Sequence, residues 1–132
     1  MQHFTIEDLS VSATAKSKGI DNTSPAEVKA NLQTLIDQVL NPLCIKYERS
    51  IKINSGYRSP ALNKLVGGAS TSQHLTGEAA DITIGSPEEN KKLFELIKAS
   101  GSYDQLIDEQ NYSWVHVSYK REGANRKQLL HL

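Results

Sequence analysis

Ala80-Asp81-Ile82-Thr83-Ile84 and Trp114-Val115-His116-Val117-Ser118 are the two stretches whose reading decides the fold. Both alternate apolar and polar residues with a period of two, the pattern of a strand with one buried face. In the first, Ala80, Ile82 and Ile84 turn to the core and Asp81 to the opposite face. In the second, Val115 and Val117 turn inward and His116 outward with Trp114 and Ser118. Two metal-competent side chains therefore stand on strands, which hold ligands more rigidly than loops do. Ser50-Ile51-Lys52-Ile53-Asn54 alternates in the same way, and Tyr103 to Asp108 supplies a fourth strand. The polar segment Glu109-Gln110-Asn111-Tyr112-Ser113 suits the loop of an antiparallel hairpin joining the last two.

Around these strands, Ser-Pro pairs mark helix starts. Ser24-Pro25-Ala26-Glu27 reads as an N-cap, a proline at the first helical position and a capping-box Glu. Val28, Leu32, Leu35, Ile36, Val39 and Leu40 follow at helical spacing, so a helix is predicted to run to about Leu40, ahead of Pro42. Ser86-Pro87-Glu88-Glu89 repeats the device before Leu93, Phe94, Leu96 and Ile97, with Gly101 as the stop. Ser59-Pro60 opens a shorter helix that Gly67-Gly68 ends. Helices combined with a small, mainly antiparallel sheet make the fold class α+β.

At 132 residues the chain is predicted to be one domain with a real core, burying about 65–70% of its unfolded surface. Fifteen Lys and Arg balance 15 Asp and Glu, which leaves no basic footprint for nucleic acid or anionic lipid. Cys44 is the sole cysteine, so no intramolecular disulfide is possible and the thiol is read as a small buried hydrophobe. No apolar run approaches the roughly 20 residues of a membrane span, and the opening MQHFTIEDL has neither the basic nor the apolar region of a signal peptide. The expectation is a soluble protein made in the cytoplasm, without membrane insertion.

Just ahead of the first strand lies Ser72-Gln73-His74-Leu75-Thr76-Gly77-Glu78-Ala79-Ala80-Asp81, where Gly77 permits a turn that folds His74 back over Asp81. His74, Asp81 and His116 then form a His₂Asp set with a fourth position open, the arrangement of catalytic zinc. The other two histidines, His3 and His131, lie near the termini and are read as surface residues.

Ser72-x-His74-x-x-Gly77-x-Ala79-x-Asp81 followed by Trp114-Val115-His116 resembles the zinc peptidases of the M15 family, which include D-alanyl-D-alanine carboxypeptidases, L-alanyl-D-glutamate endopeptidases and phage endolysins. Ser55-Gly56-Tyr57-Arg58-Ser59-Pro60, Leu62-Asn63, Val66-Gly67-Gly68 and Asp104-Gln105-Leu106-Ile107 are similar to the small single-domain branch of that family. The resemblance implies the Hedgehog/D-Ala-D-Ala peptidase-like fold, one zinc ion on His74, Asp81 and His116, and hydrolysis of peptidoglycan stem-peptide amide bonds by a monomer. It also implies action at the cell wall, reached in endolysins through holin-dependent lesions. Arg58 in the Ser-Gly-Tyr-Arg segment would stabilise a substrate oxygen or carboxylate. Ser72 would hydrogen-bond substrate, and Tyr57, Gln105 and Trp114 would line the cleft.

One departure stands out. Many M15 members carry their general-base Glu three residues before the second zinc His, where this chain has Ser113. Glu109 is the preferred replacement because the small branch places its Glu after Gln-Leu-Ile; Asp108 is the alternative. Ser113 also motivates a different reading, a zinc-containing cell-wall or protein binding module of the same fold that has lost catalysis, as in Hedgehog signalling domains.

Overall fold

The structure, a computed structural model, describes residues 4–47 and 50–132. The strands are β1 (Lys52–Ser55), β2 (Ala79–Thr83), β3 (Gln105–Glu109), β4 (Trp114–Ser118) and β5 (Gln128–His131), in one sheet of order β1-β2-β4-β3-β5. Only the β3–β5 pair is parallel. The helices are α1 (Ala13–Lys18), α2 (Ala26–Leu35), α3 (Asn41–Tyr47), α4 (Pro60–Leu65) and α5 (Pro87–Ser100). The α+β class is as expected.

The period-two alternation divides the sheet as predicted. Ala80, Ile82, Leu106, Val115 and Val117 are buried in one apolar cluster with Leu32, Leu35, Leu40, Leu93, Phe94 and Ile97 of the helices. Ile84, expected in the core, is half-buried against that cluster just past the end of β2. Burying this face removes large apolar side chains from water at about 1.5–3 kcal/mol each, which drives sheet and helices together. The polar residues of β2 and β4 are left on the other face.

Two Ser-Pro helix starts form as read. Ser86 and Ser59 accept hydrogen bonds from the Glu89 and Leu62 amides, each with Pro at the first helical position, and Gly101 closes α5 in the left-handed conformation at φ 69°. The third differs. Pro25 itself is the N-cap of α2, Ser24 makes no side-chain cap, and the helix begins one residue later.

Nor does this helix stop before Pro42. It passes through a π-helical stretch, Ile36–Leu40, into α3, with the Asn41 amide bonded to the Ile36 carbonyl five residues back. Proline cannot donate to the carbonyl four residues earlier, and its ring crowds that carbonyl. The wider π turn accommodates both defects, so the apolar stripe continues to Leu43 and Cys44, both buried.

α1 and β5 have no counterpart in the sequence reading. α1 is a six-residue helix capped by Ser12 and Gly19. β5 lies mostly exposed on the sheet edge and is held by polar contacts at its start. Asp104, fully buried, accepts from the Arg126 amide at 2.8 Å, from the Arg126 guanidinium at 2.7 Å and from Gln73 Nε2 at 3.0 Å, while its carbonyl accepts from the Gln128 amide at 2.9 Å.

Burial pushes the Asp104 carboxyl upward, but the bonds from Arg126 and Gln73 outweigh it and hold the pKa down at about 2. A carboxylate lowered in the fold stabilises it above its unfolded pKa, and that contribution is lost as pH falls through the folded value. Urea midpoints measured from pH 6 downward should therefore drop between about pH 4 and about pH 2. Asp104→Asn should be less stable by about 1–3 kcal/mol at pH 6 and show a shallower acid limb.

Candidate metal centre

Each putting-together of the site traces to local sequence. Asp81 on β2 lies directly opposite His116 on β4 in the antiparallel ladder, so the two side chains share a face. His74 comes back over them through the turn closed by the Glu78 amide on the Gln73 carbonyl at 3.0 Å. Gly77 makes that turn possible at φ 77°, where a Cβ would also sit 2.8 Å from Val28 Cγ1 and from the Val28 carbonyl oxygen.

The three side chains converge. Asp81 Oδ2 is 3.3 Å from His74 Nε2, and Asp81 Oδ1 is 2.9 Å from His116 Nδ1. Ligand atoms of all three lie within 4.8 Å of one another, near enough to share one ion. Both histidines are buried, and their rings meet edge-on at 5.1 Å between centroids. Burial alone would raise the Asp81 pKa, yet hydrogen bonds from His116 and His74 and their charges hold it well below the usual carboxylate range. The carboxylate is therefore ionised, as a metal ligand must be.

The orientation of His74 is fixed from behind. Its Nδ1 lies 2.7 Å from the Gly56 carbonyl oxygen, which can only accept, so Nδ1 carries the proton and Nε2 presents its lone pair to Asp81 and the site. Gly56 follows the irregularity between Ile53 and Ser55 that bends β1, with Ser55 set opposite Asp81. Two imidazole nitrogens and one carboxylate match the donor chemistry of zinc.

Beside the triad opens a cleft of about 670 Å³ lined by Tyr57, Arg58, Asp81, Glu109, Gln110 and Trp114, among others. Tyr57 is otherwise buried. The Arg58 amide bonds the His74 carbonyl at 3.0 Å, and its side-chain Nε is buried without a hydrogen-bond partner. Gly68 leaves room for that side chain, since a Cβ there would lie 2.7 Å from Arg58 Nη1. Burial lowers the Arg58 pKa, and the Asp81 and Glu109 carboxylates oppose that shift.

Glu109 and Asp108 part company here. β3 extends one residue beyond its predicted end, which makes Glu109 a strand residue directly opposite Trp114, on the face of Asp81 and His116. Its Oε2 accepts from the Trp114 indole N–H at 2.8 Å. Asp108 lies opposite Val115 on the core face and is bonded to His131 Nδ1, so it points away from the triad.

Ser72 and Gln105 do not line the cleft. Ser72 Oγ accepts from the His74 amide at 3.2 Å and so shapes the turn, while Gln105 Nε2 donates to Gln128 Oε1 at 2.7 Å on the far end of β3. His131 is exposed, as read, but its partnership with Asp108 was not foreseen. His3 lies outside the described residues. The sequence reading also missed the Gly56 carbonyl and Gln110; the glycine in Ser-Gly-Tyr-Arg was visible, but no side chain announced a backbone acceptor.

The profile of the family described as peptidase M15 matches residues 2–118. The chain belongs to the M15 peptidase family. The zinc D-Ala-D-Ala carboxypeptidase of Streptomyces albus G is 49% identical over 39 residues, a stretch that makes up 30% of this chain and 15% of that protein. No helix among the described residues is long and apolar enough to cross a membrane.

The Gly56 carbonyl gives this M15 site a test that does not touch a ligand. A Cβ at position 56 would lie 2.1 Å from the Leu9 carbonyl oxygen, so the loop must move and carry its carbonyl off His74. Gly56→Ala should weaken zinc affinity about 10- to 100-fold, as other losses behind a metal-bound His do. Competition with a chromophoric chelator reads this directly.

Proposed function

We propose that this protein is a zinc peptidase that hydrolyses amide bonds in peptidoglycan stem peptides. The observation that carries the reading is the sharing of one cleft by Asp81 of the His/Asp/His triad, the Glu109 carboxylate and the Arg58 guanidinium. One zinc ion held by His74, Asp81 and His116 would supply Lewis acidity, polarising a carbonyl and lowering a water's pKa to about 7.

The residues of the chain divide the remaining work. Glu109 accepts a proton from the attacking water and returns it to the leaving nitrogen as the C–N bond breaks, yielding a carboxylic acid and an amine. Its indole hydrogen bond fixes one carboxylate oxygen and leaves the other for the proton. Arg58 is a permanently charged donor with an unsatisfied buried N–H, suited to the carbonyl oxygen as it gains charge or to a substrate carboxylate. Tyr57 and Trp114 present ring surface for the peptide. Ser72 and Gln105, both expected to touch substrate, act from outside the cleft by holding the His74 turn and the β3 edge. The cell wall as site of action, and an endolysin-like place within the family, follow from that substrate rather than from the fold.

Digestion of purified muropeptides by zinc-loaded protein, mapped by mass spectrometry, tests the reading. Loss of a terminal alanine marks carboxypeptidase action, and a cut between L-Ala and D-Glu marks endopeptidase action. Intact peptides together with binding to sacculi would establish the non-catalytic module instead. If hydrolysis is seen, Glu109→Gln should keep its zinc and lose about 10²–10⁴ in kcat, the range for a general base. Asp108→Asn, altered on the opposite face, should keep kcat within about threefold of wild type, a difference below 1 kcal/mol in the barrier.

A further inference from the structure

The β3–β4 connection that carries Glu109 at one end and Trp114 at the other is conformationally costly. Gln110, Asn111 and Tyr112 adopt φ 52°, 56° and 63°, three successive non-glycine residues in the left-handed region. Such residues cost of order 1–3 kcal/mol each and persist only where surroundings hold them. An asparagine tolerates this conformation better than most, but a tyrosine does not.

What holds the turn is a side chain that the chemistry does not use. Asn90, in the first turns of α5, is almost fully buried at 1% exposure. Its Nδ2 donates to the Tyr112 carbonyl at 2.8 Å and the Ser113 carbonyl at 3.2 Å. Its Oδ1 accepts from the Ile84 amide at 2.9 Å and the Thr83 hydroxyl at 3.1 Å. One amide thus ties the end of β2, the strand of Asp81, to the turn between Glu109 and Trp114. Phe94, one helical turn along α5, meets the Tyr112 ring edge-on at 5.7 Å. The Ser113 amide closes the turn on the Glu109 carbonyl at 3.0 Å.

We propose that Asn90 is a positioning residue: by clamping this left-handed turn it sets the Glu109 carboxylate, with its Trp114 partner, relative to Asp81. Glu109 sits directly before the three left-handed residues, and their relaxation would rotate the end of β3. The kinetic consequence rests on the reading of Glu109 as general base; the structural consequence does not.

Asn90→Asp is the discriminating change. It keeps the shape and the acceptor toward Ile84 but turns an oxygen, in place of an N–H, toward two carbonyls. Trp114 is the sole tryptophan, so its emission reports on the Glu109 bond without interference. The folded, zinc-loaded variant should show shifted Trp114 emission, kcat lowered about 10- to 100-fold and KM changed less than about threefold, as a small misplacement of a catalytic group does. Wild-type emission, or wild-type kcat, in that variant overturns the proposal. Should the wild-type protein hydrolyse no stem peptide, the peptidase reading fails and the emission alone decides the clamp. Should the variant not fold, NMR relaxation of the wild-type protein decides it: backbone order parameters near 0.85 for residues 110–113 are expected, and values below about 0.6 overturn it.

Discussion

Everything at the site depends on a register: Asp81 faces His116 across the β2–β4 ladder. In an antiparallel pair, opposite residues project to the same side, and a slip of one residue sends an entire strand's side chains to the other face. Here such a slip would bury Asp81 among Val115 and Val117 and expose Ala80 and Ile82. The apolar cluster therefore enforces the polar constellation, because the two faces cannot be chosen separately. His74 joins from a turn whose glycine is packed on Val28 and Leu32 of α2, so the third ligand is referenced to the same core.

The parts of this arrangement visible in the sequence were those written in side chains with short-range rules. Period-two alternation placed Asp81 and His116 on one face, Ser-Pro pairs marked the starts of α4 and α5, and Gly101 marked the end of α5. Ser72-x-His74-x-x-Gly77 placed the third ligand. What stayed hidden lay in the backbone or far along the chain. Pro42 reads locally as a stop, and only the packing of Leu43 and Cys44 makes the π turn worthwhile. β5 carries little apolar signal because its anchor is Asp104, more than twenty residues earlier, rather than its own side chains.

The carboxylate question shows the same division. Asp108 and Glu109 are neighbours, and only the true end of β3 decides which one shares a face with the triad. The hairpin loop is shorter by one residue than the polar run suggests, because Glu109 pairs with Trp114. Three left-handed residues then make the reversal, in a segment with no glycine to announce it. Ser113, which occupies the usual position of the base in many relatives, instead caps this reversal, its hydroxyl on the Gln110 carbonyl at 2.6 Å. The missing carboxylate and the turn chemistry are two aspects of one local solution.

The π stretch at Ile36–Leu40 has a bearing on how the first third of the chain tolerates change in length. Each residue added to or removed from a helix turns everything beyond it by about 100°. The widened turn holds one residue more than an α-helical path needs, so loss of a single residue between positions 36 and 40 would restore regular helix and rotate α3 by that angle. Leu43 and Cys44 would leave the core, and Asn41, whose Oδ1 accepts from the Phe4 amide at 3.1 Å, would leave the N-terminal segment. In a helix that looks continuous, this is the place where the count of residues, rather than their identity, is under constraint.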